Sequence, residues 1–167
     1  MYIYICIYIM GAGILPIAIN NNTVFFLLGQ EAYDKKWADF GGSPSPKTEA
    51  VFKTAIREGY EELDGFLGTK KELKKLVEKN LIEKISKNDN TYHSYLFTIQ
   101  YDPLLPSYFN NHHKFIKENF PEKIDKKGYF EKSNIKWFSL GELQNTNFKF
   151  RDHYKEIIKK IVQIKIK

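Results

Sequence analysis

Apolar and polar residues alternate along this chain at two periods, and the switches between them mark its elements. From Tyr2 to Ile9, Tyr and Cys6 at even positions alternate with Ile at odd ones, a period-two mixture of β-branched and aromatic residues that is strand chemistry. The pattern predicts two further strands, Ile14 to Ile19 and Val24 to Leu28, joined at Asn20, Asn21 and Asn22, since asparagine tolerates left-handed backbone. Gln30 to Lys36 is polar and reads as a loop, and Trp37 to Phe40 as a short strand leading into Gly41 and Gly42. Ser43-Pro44-Ser45-Pro46 can be neither regular helix nor central strand, because proline lacks the donor. The period then becomes helical. From Glu49 to Leu63, a rotation of about 100° per residue gathers Phe52, Ala55, Ile56, Gly59 and Leu63 on one face. Glu58, Glu61 and Glu62 gather on the next face with Arg57 at its edge, while Lys53 and Tyr60 point away. A mid-helix Gly59 costs about 1 kcal/mol relative to Ala, which predicts a close contact on the apolar side. Asp64-Gly65 ends the helix.

Thr69 and Glu72 form a capping-box pattern ahead of a second helix, whose apolar positions are read as Leu73, Leu76, Val77, Ile82 and Ile85. Asn88-Asp89-Asn90 is a turn, and Thr91 to Tyr101 is a half-buried strand with Tyr95, Phe97, Ile99 and Tyr101 on one face. A helix over Ser107 to Asn119 uses Tyr108, Phe109, Phe115 and Ile116, followed by a charged loop from Pro121 to Gly128. A strand near Ile135 to Phe138, a capped short helix from Ser139 and Glu142, and a last helix over Arg151 to Ile164 complete the chain. The last helix shows one apolar stripe of Tyr154, Ile157, Ile158 and Ile161. With no internal repeat, linker or low-complexity tract, the reading is one α/β (α+β) domain over 12–167, preceded by an apolar extension, residues 1–11, read as strand.

Composition narrows this picture. A length of 167 residues suffices for one domain with a real core, and 43% hydrophobic content is globular. The net charge of +6 permits an anionic partner such as a nucleotide, RNA or a membrane surface, although abundant Lys, Asn, Ile and Tyr also follow from an AT-rich coding sequence. The single Cys6 excludes an intrachain disulfide and a cysteine-rich zinc site, and fits a reducing, cytoplasmic compartment. Residues 1–19 contain no charge, so their length alone admits a membrane anchor; the period-two alternation and the interruptions at Gly11, Gly13 and Pro16 favour strands. His112 and His113 diverge on a helix and read as surface residues, and His93 reads as a core histidine. Trp37 and Trp137 read as packing, with base stacking as the alternative. The lysines at 70, 71, 74, 75 and 79 read as a solvated helix face, with a grip on RNA phosphates as the functional alternative.

The chemistry concentrates between Trp37 and Gly68. Carboxylates three and four residues apart share a helix face, and each such like-charge pair is unfavourable by about 0.2–0.5 kcal/mol without a partner. A hard divalent cation reverses that sign by taking carboxylate oxygens as ligands. The order Gly42, Glu49, Arg57-Glu58, Glu61-Glu62 resembles the Nudix box, G-x5-E-x7-R-E-U-x-E-E-x-G-U. From Glu49 to Glu62 the spacing matches, and the WADFGG lead-in and the late IKWFSLGEL, similar to the family's W-x-x-x-x-E-L, stand in the same order. Three positions depart: six residues separate Gly42 from Glu49 where the pattern has five, so the loop carries one extra residue or Ser43 replaces the glycine; Gly59 occupies the aliphatic position; and Asp64 stands where glycine is usual. The resemblance covers most of residues 12–165, and the composition is similar to that of Nudix proteins of large DNA viruses.

That resemblance implies an α/β/α sandwich with a mixed sheet, and Mg²⁺-dependent hydrolysis, with Mn²⁺ as a substitute, of a nucleoside diphosphate linked to another moiety. It implies that Glu58, Glu61 and Glu62 hold the metal with the backbone carbonyl of Gly41, and that Glu49 and Arg57 pair to orient Glu58. Glu58 is then the carboxylate that accepts a proton from the attacking water. Outside the box, Glu118, Glu122 and Glu131 stand where some members place an extra ligand or base, and the residues do not choose among them. The partner expected is a nucleotide-type small molecule, with RNA, including an mRNA cap, as an extension and no stable protein partner. The alternative function is a catalytically inactive module of the same fold that binds nucleotide or RNA.

Overall fold

A long strand with neighbours along both edges organises the sheet. The computed structural model describes residues 10–124 and 130–164, so the strand expected before Met10 lies outside the described residues. In chain order the elements begin β1 (Gly11–Asn20), β2 (Thr23–Glu31), β3 (Trp37–Ala38), β4 (Phe40–Gly42), α1 (Val51–Glu62) and α2 (Lys70–Asn80). They continue β5 (Leu81–Ser86), β6 (Tyr92–Thr98), α3 (Leu105–Asn119), β7 (Lys132–Ser139), α4 (Leu140–Leu143) and α5 (Asp152–Ile161). The sheet order is β3-β2-β1-β6-β5, with β4 also on β1 and β7 also on β2. β1 and β6 run parallel and the other pairs antiparallel, so the sheet is mixed.

The hairpin between β1 and β2 turns through Asn21 and Asn22, with φ of 48° and 58°. Two consecutive left-handed residues make the tight turn whose twist matches its strands. Pro16 lies inside β1, where a missing N–H would ordinarily break the ladder. It falls between Ala12–Ile14, which pair with β4, and Ile17–Asn20, which pair with β2. The gap between two antiparallel partners tolerates it.

Helices cover both faces. On one, Ile14, Ala18 and Phe97 of the sheet pack with Ala55 and Ile56 of α1, Val77 of α2 and Phe109 of α3. On the other, Leu15, Ile17, Leu96 and Phe138 pack with Leu143 of α4 and with Tyr154, Ile157, Ile158 and Ile161 of α5. This is the α/β/α sandwich with a mixed sheet that the sequence led us to expect. Among the described residues no helix is long and apolar enough to cross a membrane.

Several boundaries differ from the sequence reading. The second helix stops at Asn80; Ile82 and Ile85 belong to β5, which pairs antiparallel with β6. Sheet pairing there overrides a helical spacing that ran on by coincidence. β6 is buried on both faces rather than half-buried, because it is a central strand flanked by β1 and β5. β2 extends through Gln30 and Glu31, where the expected loop begins two residues early. In α3, Phe109 and Ile116 are buried but Tyr108 and Phe115 are exposed, and His113, expected on the surface, is buried with its ring against the Phe130 carbonyl. Tyr60 is not directed away from the core but packs against it. Both tryptophans pack as expected, Trp37 edge-on to Phe138 and Trp137 donating its indole N–H to the Asp102 carbonyl at 2.8 Å.

Candidate active site

The acidic face of α1 lies against the Gly41–Gly42 segment of β4. Gly59 makes the approach possible: a Cβ there would stand 2.3 Å from Cδ1 of Ile14 on β1. A side chain at that position would therefore force Ile14 or the helix to shift. Gly42 does the same for the site itself, since a Cβ there would meet the Glu58 carboxylate carbon at 2.6 Å. Both glycines serve close approach, not chain flexibility.

α1 begins at Val51, two residues later than expected, because the backbone at Ala50 is extended, so Glu49 stands just before the helix. Its carboxylate accepts from the Ser45 backbone N–H at 3.1 Å, the Thr54 hydroxyl at 3.0 Å and Arg57 Nη2 at 2.9 Å. Burial pushes Glu49 up, but the hydrogen bonds from Arg57, Ser45 and Thr54 together outweigh it and hold the carboxyl at about 2. Arg57 also donates through Nη2 to the Ser43 carbonyl at 2.8 Å. The additional residue in the Gly42–Glu49 loop is thus accommodated with both ends of the loop pinned by one Arg–Glu pair.

From the same guanidinium, Nη1 reaches Glu58 Oε1 at 2.9 Å and Glu61 Oε2 at 3.2 Å. Two carboxylates converging on one cationic nitrogen are placed to share a cation. Glu62 lies deeper, 2% exposed, and accepts from the Gly41 backbone N–H at 2.7 Å. Its other oxygen faces Lys132 Nζ of β7 at 3.4 Å. Lys132 is fully buried and also bonds Glu31, at a register shift in β2 between Gln30 and Glu31. Arg151 approaches Glu31 from outside at 3.1 Å.

Burial alone would lower the proton affinity of Lys132, but Glu62 and Glu31 more than compensate and keep it charged. Lys132 is shared between the buried Glu62 and the partly buried Glu31, and burial pushes Glu62 well above the usual carboxylate range. Burial likewise pushes Glu58 up, with Glu61 and Glu131 adding to the rise against Arg57. Of the three outer glutamates, Glu131 acts on both Glu58 and Glu62, while Glu118 and Glu122 are exposed on α3 and the turn after it.

The donor set, carboxylates crowded in a low-dielectric wall with excess negative charge, fits a hard divalent cation. Their present partners are Arg57 and Lys132, and among the described residues no three His, Cys, Asp or Glu side chains are drawn around a common point. Glu58, Glu61 and Glu62 are brought to one wall, and Gly41 meets that wall through its N–H to Glu62.

The sequence reading missed what stands behind Gly41. Asp39 is 1% exposed and accepts from the Tyr92 hydroxyl at 2.6 Å and the Ser94 hydroxyl at 2.5 Å. Burial raises its carboxyl to about 6 despite both bonds. Beside it a cleft of about 250 Å³ is lined by Gly41, Gly42, Ser43, Tyr92, Arg151 and His153. An acid inside the apolar Trp37–Phe40 run was the available signal for Asp39. Lys132, Arg151 and His153 gave none, because the residues they face lie far away along the chain.

The sequence matches no family model and no curated protein. The three-dimensional structure is similar to that of an Ap4A hydrolase from C. elegans in a binary complex, at a TM-score of 0.54 and 16% identity, over 93% of this chain and 96% of that one. It is similar to a Nudix hydrolase from M. smegmatis, RenU, at a TM-score of 0.54 and 12% identity, over 93% and 84% of the two chains. The likeness shows that this chain has the Nudix hydrolase fold.

Proposed function

We propose that this chain of Nudix fold is a pyrophosphohydrolase that cleaves a phosphoanhydride bond in a nucleoside diphosphate-linked substrate with Mg²⁺. The observation that supports it is the convergence of Glu58 and Glu61 on one nitrogen of Arg57, with Glu49 fixing that arginine from the other side. In this reading Glu58, Glu61 and Glu62 hold Mg²⁺ with the Gly41 carbonyl, and Mn²⁺ can replace it. When bound, the cation screens the charge of a diphosphate approaching an acidic wall and polarises its phosphoryl oxygen.

The chain's own residues do the rest. Glu49 holds Arg57, and Arg57 holds the Glu58 carboxylate in place. Glu58, held by Arg57 at 2.9 Å, accepts a proton on Oε from the attacking water. Lys132 keeps Glu62 from repelling the other carboxylates outward. The cleft beside Gly41–Ser43, with Arg151 and His153 on its wall, provides a place for anionic substrate groups. Substrates of the expected class join a nucleoside diphosphate to a second group, as the name of the similar Ap4A hydrolase also suggests. Capped RNA belongs to that class, and the +6 charge favours a long anion. A reducing, cytoplasmic setting fits the single cysteine.

A second reading is a module that binds nucleotide or RNA without hydrolysis, favoured by Arg57 and Lys132 already acting as counter-ions to the carboxylates. One panel separates the two: nucleoside diphosphate derivatives, oxidised nucleoside triphosphates, dinucleoside polyphosphates and capped RNA, each with and without Mg²⁺. The hydrolase reading expects Mg²⁺-dependent product from at least one. Ligand-induced thermal stabilisation without product from any would favour the binding module instead.

A further inference from the structure

A second feature lies on the far side of Arg57 from the carboxylates. Between the first half of α1 and the start of α2 runs a groove of about 640 Å³. Ala50, Phe52 and Ile56 give it an apolar wall, and Phe52 is fixed there by packing edge-on against Tyr95 at 5.1 Å. Around that wall stand Lys53 from α1 and Lys70, Lys71 and Lys74 from α2, all exposed. Lys74 has a surface partner, Glu78 at 3.6 Å, and Lys70 lies over the Tyr60 ring at 5.5 Å. Among the described residues Lys53 and Lys71 have no carboxylate partner. Glu49, the acid lining this groove, is already bonded to Arg57.

We propose that this groove binds single-stranded RNA, with an unpaired base against Phe52 and flanking phosphates on Lys53, Lys71 and Lys74. The chemistry matches that of single-strand binders, which combine a basic track with an aromatic platform indifferent to base identity. Lys71 and Lys74 are three residues apart on one side of α2, about 4.5 Å along the axis, so their long side chains can reach successive phosphates of an extended strand. A polyanion without bases or apolar side chains, such as polyglutamate, would satisfy the lysines but leave the apolar wall unused. The groove ends on Arg57 and Glu49, so a strand in it can be continuous with a substrate at the carboxylates; the choice of RNA rests on the pyrophosphohydrolase reading in that respect.

The test uses the full chain, without divalent cations, and a labelled single-stranded RNA of about 12 nucleotides followed by fluorescence anisotropy across a salt series. The triple variant Lys53→Ala, Lys71→Ala, Lys74→Ala is expected to bind at least about tenfold more weakly, and its log–log salt slope to fall by about 2, at about 0.7 for each phosphate no longer neutralised. All three side chains are exposed, so the variant is expected to melt like the parent. Equal affinity and slope in parent and variant would overturn the proposal, as would no RNA binding by the parent or equal competition by a polyglutamate of matched charge. Hydrolysis of a small nucleoside diphosphate substrate is measured in parallel. Its absence in the parent counts against the hydrolase reading alone, while the anisotropy comparison decides the groove.

Discussion

Lys132 shows how much of this site depends on a single buried charge. It is enclosed completely and faced by two carboxylates, Glu31 and Glu62, the second of which also holds the Gly41 N–H. Replacing this buried cation by an apolar side chain leaves the buried Glu62 without its counter-ion, while Glu31 keeps Arg151; losing one member of a buried pair costs about 3–5 kcal/mol. Lys132→Met should therefore lower the unfolding free energy by about that amount in urea denaturation at neutral pH. A loss under about 1 kcal/mol would mean that Glu31 and Glu62 are not held as the structure has them. Nothing near Lys132 in sequence announces this role. Its partners lie 70 and 101 positions away, and a lysine at the start of a strand otherwise reads as an exposed edge residue.

Among the elements, α1 was the most legible. Its apolar face, its acidic face and the need for a close contact at Gly59 were readable because helical periodicity is local. The contact itself was not readable, since it needs Ile14 from a strand more than forty residues earlier. Helix propensity alone says that Gly59→Ala gains about 1 kcal/mol. Packing says the opposite, because the new methyl would stand 2.3 Å from Ile14 Cδ1 and 2.5 Å from Cγ1. Overpacking of this kind costs about 1–3 kcal/mol. The variant is expected to be less stable than the parent by thermal or chemical denaturation, and Ile14→Ala, which makes room, should reduce the cost of adding the methyl. A Gly59→Ala protein more stable than the parent would show that α1 does not press on β1. Where the reading of elements failed, as at Ile82 and Ile85, pairing with a distant strand decided the conformation. The burial of β6 on both faces was missed for the same reason, as its parallel neighbour β1 lies some eighty residues earlier.

At the scale of the whole molecule, the layers explain why a set of repelling carboxylates survives in one place. The sheet supplies Gly41–Gly42 from one edge of β1 and Lys132 from the strand beyond β2, and α1 is pressed between them by its glycine. The fold's outline was legible from alternating and helical periods, and the order of Glu49, Arg57, Glu58, Glu61 and Glu62 was legible as a motif. The charges that surround the motif, Glu31 of β2, Lys132 of β7 and Arg151 at the start of α5, were not, because they come from distant elements. That these carboxylates serve a metal-dependent hydrolysis is tested most directly by turnover of the best panel substrate in saturating Mg²⁺. The variants are Glu61→Gln/Glu62→Gln and, as a partly exposed companion that does not disturb the Lys132 pair, Glu61→Gln alone. The folded double variant is expected to lose activity on the order of 100-fold, with the single variant impaired in the same direction; undiminished turnover in both, with melting unchanged, would contradict the metal-site assignment.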